Sequence, residues 1–175
     1  MEISPLSDAL GASVTGVDIG KINQDQFAEI HRAFLDHQLL VFREQQLDAE
    51  TQIAFSKRFG PIETRPERPF TLPGYPEVTI LSNRLIDDEP VGVISAGDFW
   101  HTDLSFGEIP CRATFLYALE VAEEGGDTEW SNIYTAYDTL SDEKKERIAE
   151  LRCTHVFDRR RNRRTKVDTQ FVDKA

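Results

Sequence analysis

Phe99-Trp100-His101-Thr102-Asp103-Leu104-Ser105-Phe106 is the stretch on which the reading of this chain turns. In extended backbone, residues i and i+2 point to one face, so His101 and Asp103 are expected to project together from a strand. An imidazole nitrogen and a monodentate carboxylate make two-thirds of the facial triad that holds non-haem Fe(II), with the opposite positions left open. The same spacing also suits a hydrogen-bonded His–Asp pair, and the motif alone leaves both readings open.

Two long loops flank this stretch upstream. Pro61, Pro66, Pro69, Pro73 and Pro76 exclude a regular helix or a central strand across their span. Val78 to Leu81 reads as a strand, and Arg84 to Asp98 as a second loop. Loops of this length inside a compact domain usually carry function. Downstream, Arg112 to Val121 reads as a strong strand, rich in Phe115, Leu116 and Tyr117. Gly125-Gly126 then turns the chain into a further expected strand, Thr128 to Ile133.

Nearer the beginning, Ser13 to Asp18 alternates like a short strand, and Gln24 to Asp36 is helical, with Phe27, Ile30 and Phe34 on one face. The continuous apolar run Leu39 to Phe42 predicts a strand buried on both faces. Asp48 is placed to cap a second helix, which Gly60-Pro61 stops. Ser141 precedes a charged helix reaching Leu151, and Thr154 to Phe157 is strand-like. Short strands, long loops and helices in two groups argue for an α+β class, a rolled β structure with helices outside. No Gly-rich strand-to-helix turn supports a doubly wound nucleotide fold.

The 175 residues suit one domain, and 39% apolar content excludes a disordered chain. No apolar run is long enough for a membrane helix, and the start does not resemble a signal peptide. Cys111 and Cys153 are lone cysteines without zinc spacing. A soluble, reduced, cytoplasmic protein is therefore expected. The net charge of −11 is uneven: eight basic and three acidic residues follow Leu151, against twelve basic and twenty-eight acidic before it. So acidic a body repels nucleic acid. The basic run Arg159 to Lys166 reads as a solvated loop, or else as a tail for an anionic partner.

Several blocks in order resemble one family. Trp100 to Phe106, followed by Gly125-Gly126-Asp127-Thr128-Glu129-Trp130, is similar to the taurine dioxygenase family, which also contains 2,4-dichlorophenoxyacetate dioxygenase and alkylsulfatase-type enzymes. Gly11 to Asp18, His37 to Arg43 and Arg58-Phe59-Gly60-Pro61 resemble the family's earlier blocks, so the likeness runs from about residue 10 to about residue 160. The resemblance implies a double-stranded β-helix, a cupin-like jelly-roll with flanking helices. It implies a dioxygenase that uses Fe(II) and 2-oxoglutarate, takes up O2, releases succinate and CO2, and hydroxylates a small organic substrate. By motif position His101 and Asp103 are metal ligands, Thr128 binds the far carboxylate of 2-oxoglutarate, and Phe106 lines the substrate pocket.

Two departures qualify that expectation. The family's third iron ligand is a late histidine, followed by an arginine for 2-oxoglutarate, yet the histidines here are His31, His37, His101 and His155, none in a matching motif. The chain is thus expected to be the N-terminal part of a single dioxygenase domain, truncated on its C-terminal side and inactive alone. A non-catalytic binding module or an inactive shortened homologue on the same scaffold is the rival expectation. Secondly, Gly97 stands where the taurine-binding members carry an asparagine, while Arg65 and Arg68 fall at pocket positions. Arginine forks suit a carboxylate, sulfonate or sulfate ester, so an anionic small molecule is expected rather than taurine. Neither nucleic acid nor membrane is expected as a partner, and a homo-oligomer is left open.

Overall fold

In the computed structural model, which describes residues 1–64, 70–94, 96–97 and 99–155, the first helix starts where Asn23 closes a capping box. The Asn23 side chain accepts from the Gln26 N–H, and the Gln26 side chain accepts from the Asn23 N–H. Two of the backbone donors orphaned at the helix start are thereby satisfied. This helix, α1 (Gln24–His37), buries Ile30 and Ala33 and ends at Gln38, whose φ of 61° is left-handed. It connects β2 (Ala12–Thr15) to β3 (Leu40–Phe42), which pair in parallel with Ala12 opposite Leu40 and Val14 opposite Phe42. A parallel pair needs such a crossover. β1 (Glu2–Pro5) adds an antiparallel edge, giving the order β1-β2-β3.

The central strand shows the clearest alternation. Ala12 and Val14 are fully buried, whereas Ser13 and Thr15 are not. The expected strand Ser13 to Asp18 is thus shorter and starts one residue earlier; Gly16, at φ 66°, ends it. The expectation that Leu39 to Phe42 is buried on both faces is corrected: Leu40–Phe42 is half-buried, because it forms the outer strand of its sheet.

The second helix, α2 (Ala49–Lys57), begins as expected at Asp48, whose carboxylate accepts from the Thr51 N–H at 2.8 Å. Ile53 and Phe55 face inward. Just past the helix, Phe59 becomes the hub of an aromatic cluster. Its ring lies edge-on to Phe27 at 5.1 Å, to Phe55 at 5.4 Å and to Phe34 at 5.8 Å between centroids. Edge-to-face contacts at these separations add to the gain from area burial. Ile19, Ile30, Phe55 and Phe59 are the buried centre of this core.

Beyond residue 70 come two small ribbons. β4 (Thr71–Leu72) pairs antiparallel with β5 (Tyr75–Thr79), which carries Pro76. A two-stranded ribbon has only edges, where proline is tolerated. The Tyr75 hydroxyl donates to the Glu50 carboxylate, tying β5 to α2, and that negative partner raises the phenol's pKa. Within the expected loop Arg84 to Asp98, β6 (Leu85–Ile86) and β7 (Glu89–Pro90) form a hairpin. Its two turn residues, Asp87 and Asp88, both have positive φ, as the tightest hairpin turns require. Gly92 is obligatory beside it: a Cβ there would meet the Ser82 nitrogen at 2.8 Å and the Ile80 oxygen at 2.9 Å.

Two expected strands are absent from the ladders of the described residues. Arg112 to Val121 enters no sheet, although burial alternates residue by residue from Cys111 to Ala118, half-buried then exposed. Thr128 to Ser131 is exposed and irregular, and half-buried Asn132 caps the helix α3 (Ile133–Asp138) that follows. A strand's side-chain pattern fixes its faces, but a ladder needs a second strand to accept its hydrogen bonds. The charged helix α4 (Asp142–Ala149) starts at Ser141 as expected. Of the expected strand Thr154 to Phe157, Thr154 and His155 are not in a strand, and Val156 and Phe157 lie outside the described residues. Among the described residues, no helix is long and apolar enough to cross a membrane.

Candidate functional site

The alternating segment 111–118 connects the core to the His101–Asp103 motif. Its half-buried positions turn toward the helices. Phe115 packs edge-on against Phe55 and Phe59, and the Tyr117 hydroxyl donates to the Gln45 carbonyl at 3.2 Å while accepting from the Leu47 N–H at 3.3 Å. Immediately before these anchors, the exposed Thr114 reaches the motif.

His101 and Asp103 do come together, as their spacing predicts. His101 Nε2 lies 3.2 Å from Asp103 Oδ1. The backbone beneath them is not a strand, however. Leu104 is left-handed at φ 53°, and the Gly107 N–H donates to the Leu104 carbonyl at 3.0 Å, so the chain reverses directly after Asp103. That reversal returns residues 111–114 to the carboxylate.

The tautomer of His101 follows from its other nitrogen. Nδ1 lies 2.8 Å from the Phe99 carbonyl. A carbonyl only accepts, so this contact places the proton on Nδ1 and leaves a lone pair on Nε2. Oδ1 of Asp103 is also an acceptor when ionised. Two lone-pair donors held 3.2 Å apart call for a shared cation, either a second imidazole proton or a metal ion. Adjacent ligands in an octahedral shell, each about 2.1 Å from the metal, stand about 3 Å apart. The pair therefore fits two neighbouring positions on one ion, and both side chains are partly open to solvent, at 38% and 45% exposure.

Asp103 is secured on its far side. Thr114 Oγ1 donates to Oδ2 at 2.7 Å, and the Cys111 thiol donates to the Asp103 carbonyl at 3.3 Å. Neither residue was singled out from the sequence for this role. The available signal was a hydroxyl in an otherwise mostly apolar alternating run, which marks a face but names no partner. Gly97, at φ 78°, lies beside the imidazole; a Cβ there would sit 3.3 Å from His101 Cε1.

The other expected site residues are placed differently. Thr128 follows Gly125 and Gly126, both at φ 71°, in an exposed segment, and makes no hydrogen bond to the His101–Asp103 pair among the described residues. Phe106 is half-buried on the reversal. Arg65, Arg68 and the basic run Arg159 to Lys166 lie outside the described residues. His155 Nδ1 contacts Ser105 Oγ at 3.0 Å. Among the described residues, no three His, Cys, Asp or Glu side chains are grouped to hold a metal ion.

Comparison with known proteins bears on this geometry. Residues 2–174 match the model of the taurine catabolism dioxygenase TauD, TfdA family. The chain is 29% identical over 163 residues to an (S)-phenoxypropionate/alpha-ketoglutarate-dioxygenase of Sphingobium herbicidovorans, covering 88% of this chain and 53% of that protein. It is 33% identical over 168 residues to the alpha-ketoglutarate-dependent 2,4-dichlorophenoxyacetate dioxygenase of Cupriavidus pinatubonensis, covering 87% and 57%. Among solved structures, a putative alpha-ketoglutarate-dependent taurine dioxygenase from Burkholderia xenovorans superposes with a TM-score of 0.76 at 33% identity, over 90% of this chain and 54% of that one. AAD-2, solved in complex with Mn(II) and N-oxalylglycine, gives 0.60 at 26% identity, over 86% and 50%. The chain spans about half the length of the curated relatives it matches. With the family model matched along nearly its whole length, the chain belongs to the TauD/TfdA family of dioxygenases.

Proposed function

We propose that this chain supplies two of the metal ligands, and part of the co-substrate site, of an Fe(II)- and 2-oxoglutarate-dependent dioxygenase. The observation that carries the reading is the approach of His101 Nε2 to Asp103 Oδ1 at 3.2 Å, with Nδ1 committed to the Phe99 carbonyl. Family members depend on Fe(II) and 2-oxoglutarate. His101 and Asp103 would hold the iron, which when bound would supply the oxidising chemistry that couples decarboxylation of 2-oxoglutarate, giving succinate and CO2, to hydroxylation of a substrate carbon by O2. Thr128 donates a hydrogen bond to the far carboxylate of 2-oxoglutarate. Phe106 presents an apolar wall that keeps water from the reacting centre.

The substrate in this reading is a small organic anion of carboxylate, sulfonate or sulfate ester type, met by Arg65 and Arg68. Support comes from their forked guanidinium groups and from relatives named for phenoxypropionate and as an alkylsulfatase. The scaffold in this reading is the N-terminal part of one jelly-roll domain. Leu116, Leu119 and Val121 are exposed along the alternating segment or just beyond it, as an unpaired strand of such a roll would leave them. The lack of a three-donor group among the described residues favours a second reading, a non-catalytic binding module on the same scaffold.

Titration of the chain with Co(II), with and without 2-oxoglutarate, tests the proposal. Co(II) binding should be lost in His101→Ala and in Asp103→Ala, and 2-oxoglutarate should tighten it only when both residues are present. Equal Co(II) binding by wild type and both variants overturns the assignment. Succinate release in the presence of Fe(II), O2 and substrate separates the dioxygenase from the binding module.

A further inference from the structure

We propose that Thr114 is a positioning residue for Asp103, its hydroxyl holding one carboxylate oxygen so that the other faces His101. The inference rests on the metal-site reading above. An aspartate carboxylate turns over a broad torsional well, and packing does not fix a side chain that is 45% exposed. Here one oxygen, Oδ2, accepts from Thr114 Oγ1 at 2.7 Å, a length typical of a hydroxyl donating to an ionised acceptor. The other oxygen, Oδ1, is thereby turned to within 3.2 Å of His101 Nε2. The carboxylate is presented through a single oxygen.

Thr114 can do this because it is itself held. Threonine is stiff at its first side-chain torsion. Its neighbour Phe115 is fixed against Phe55 and Phe59, and three residues on Tyr117 is bonded to Gln45 and Leu47. The backbone of Asp103 is held separately by the Cys111 thiol. The aromatic core thus sets the orientation of a carboxylate that it never touches.

The test uses the full chain and Co(II) alone, read by calorimetry, with thermal unfolding followed in parallel. Thr114→Val removes the hydroxyl and keeps the shape; Thr114→Ala, run beside it, removes the hydroxyl without adding a methyl. Loss of an outer partner of this kind lowers metal affinity roughly 10- to 100-fold. Both variants should show that loss at an unchanged unfolding temperature, and Thr114→Ser should restore binding. If Thr114→Val and Thr114→Ala bind Co(II) like wild type while His101→Ala does not, the positioning role is wrong and the metal site stands. If Thr114→Ser is as weak as Thr114→Val, the side chain acts by packing and the proposal is overturned. If His101→Ala binds Co(II) as wild type does, the metal site fails and this inference fails with it.

Discussion

The ring of Phe115 meets the ring of Phe59 edge-on, with centroids 5.1 Å apart and planes inclined at 64°. Through this contact the helical layer formed by the first sixty residues carries the segment that reaches Asp103.

Phe115→Ala removes that link. Because Phe115 is half-buried, the stability loss should be about 1–2 kcal/mol, below the full value for a buried aromatic ring. Co(II) affinity should fall as well, since Thr114 loses its support. Denaturant unfolding and metal titration of the same variant check both parts, with exposed Leu35→Ala changing neither.

Ile30→Ala separates the core from the site. Ile30 is fully buried on α1, so truncation should cost about 2–5 kcal/mol. Under conditions where the variant remains folded, its Co(II) affinity should match wild type, because the rings that seat Phe115 edge-on are Phe55 and Phe59, which the substitution leaves in place. Chemical denaturation gives the first quantity and calorimetry the second.

Thr128→Ala tests the co-substrate assignment. Losing one hydrogen bond to a charged carboxylate costs about 1.5–3 kcal/mol. At about 1.4 kcal/mol per decade, 2-oxoglutarate should bind the Co(II)-loaded chain roughly tenfold more weakly, or worse. An unchanged constant removes Thr128 from the site.

Asp48 gives α2 an acid-sensitive start. Hydrogen bonds from the Thr51 side chain, and then from its backbone N–H, hold the Asp48 carboxyl below its ordinary value of 3.8. A depressed folded-state pKa contributes stability that is complete above the unfolded value and disappears as pH falls through the folded one. Acid unfolding below about pH 4 should therefore include this residue. Asp48→Asn, which caps without titrating, should flatten the stability profile in that window relative to wild type. A profile identical to wild type excludes the carboxylate as a contributor.

The helices were legible because their starts are written locally. Asp48 and Ser141 cap the helices predicted from them, and the spacing of Phe27, Ile30 and Phe34 marks the inner face of α1. The approach of His101 to Asp103 was legible for a similar reason, since it spans only two residues. Its backbone was not, because the left-handed Leu104 makes a turn where alternation suggested a strand. Arg112 to Val121 displays the face pattern of a strand without a ladder, as pairing depends on a partner that side-chain periodicity does not encode. The bonds from Thr114 and Cys111 to Asp103 were not legible because they exist only once the chain has reversed at residues 104–107.

The hydrogen bonds that dock segment 111–118 on the loops flanking α2 reach back 53 residues from Arg112 to the Phe59 carbonyl, and 70 to 72 residues from Tyr117 to Leu47 and Gln45. Closing such spans costs somewhat more chain entropy than pairing Ala12 with Leu40 across one helix. A polypeptide leaves the ribosome N-terminus first, so α1, α2 and their sheet emerge before Asp103 and Thr114. Residues 101–118 are therefore expected to order after that platform and, on warming, to loosen before it. In hydrogen exchange the amides of α1 should outlast those of residues 111–118.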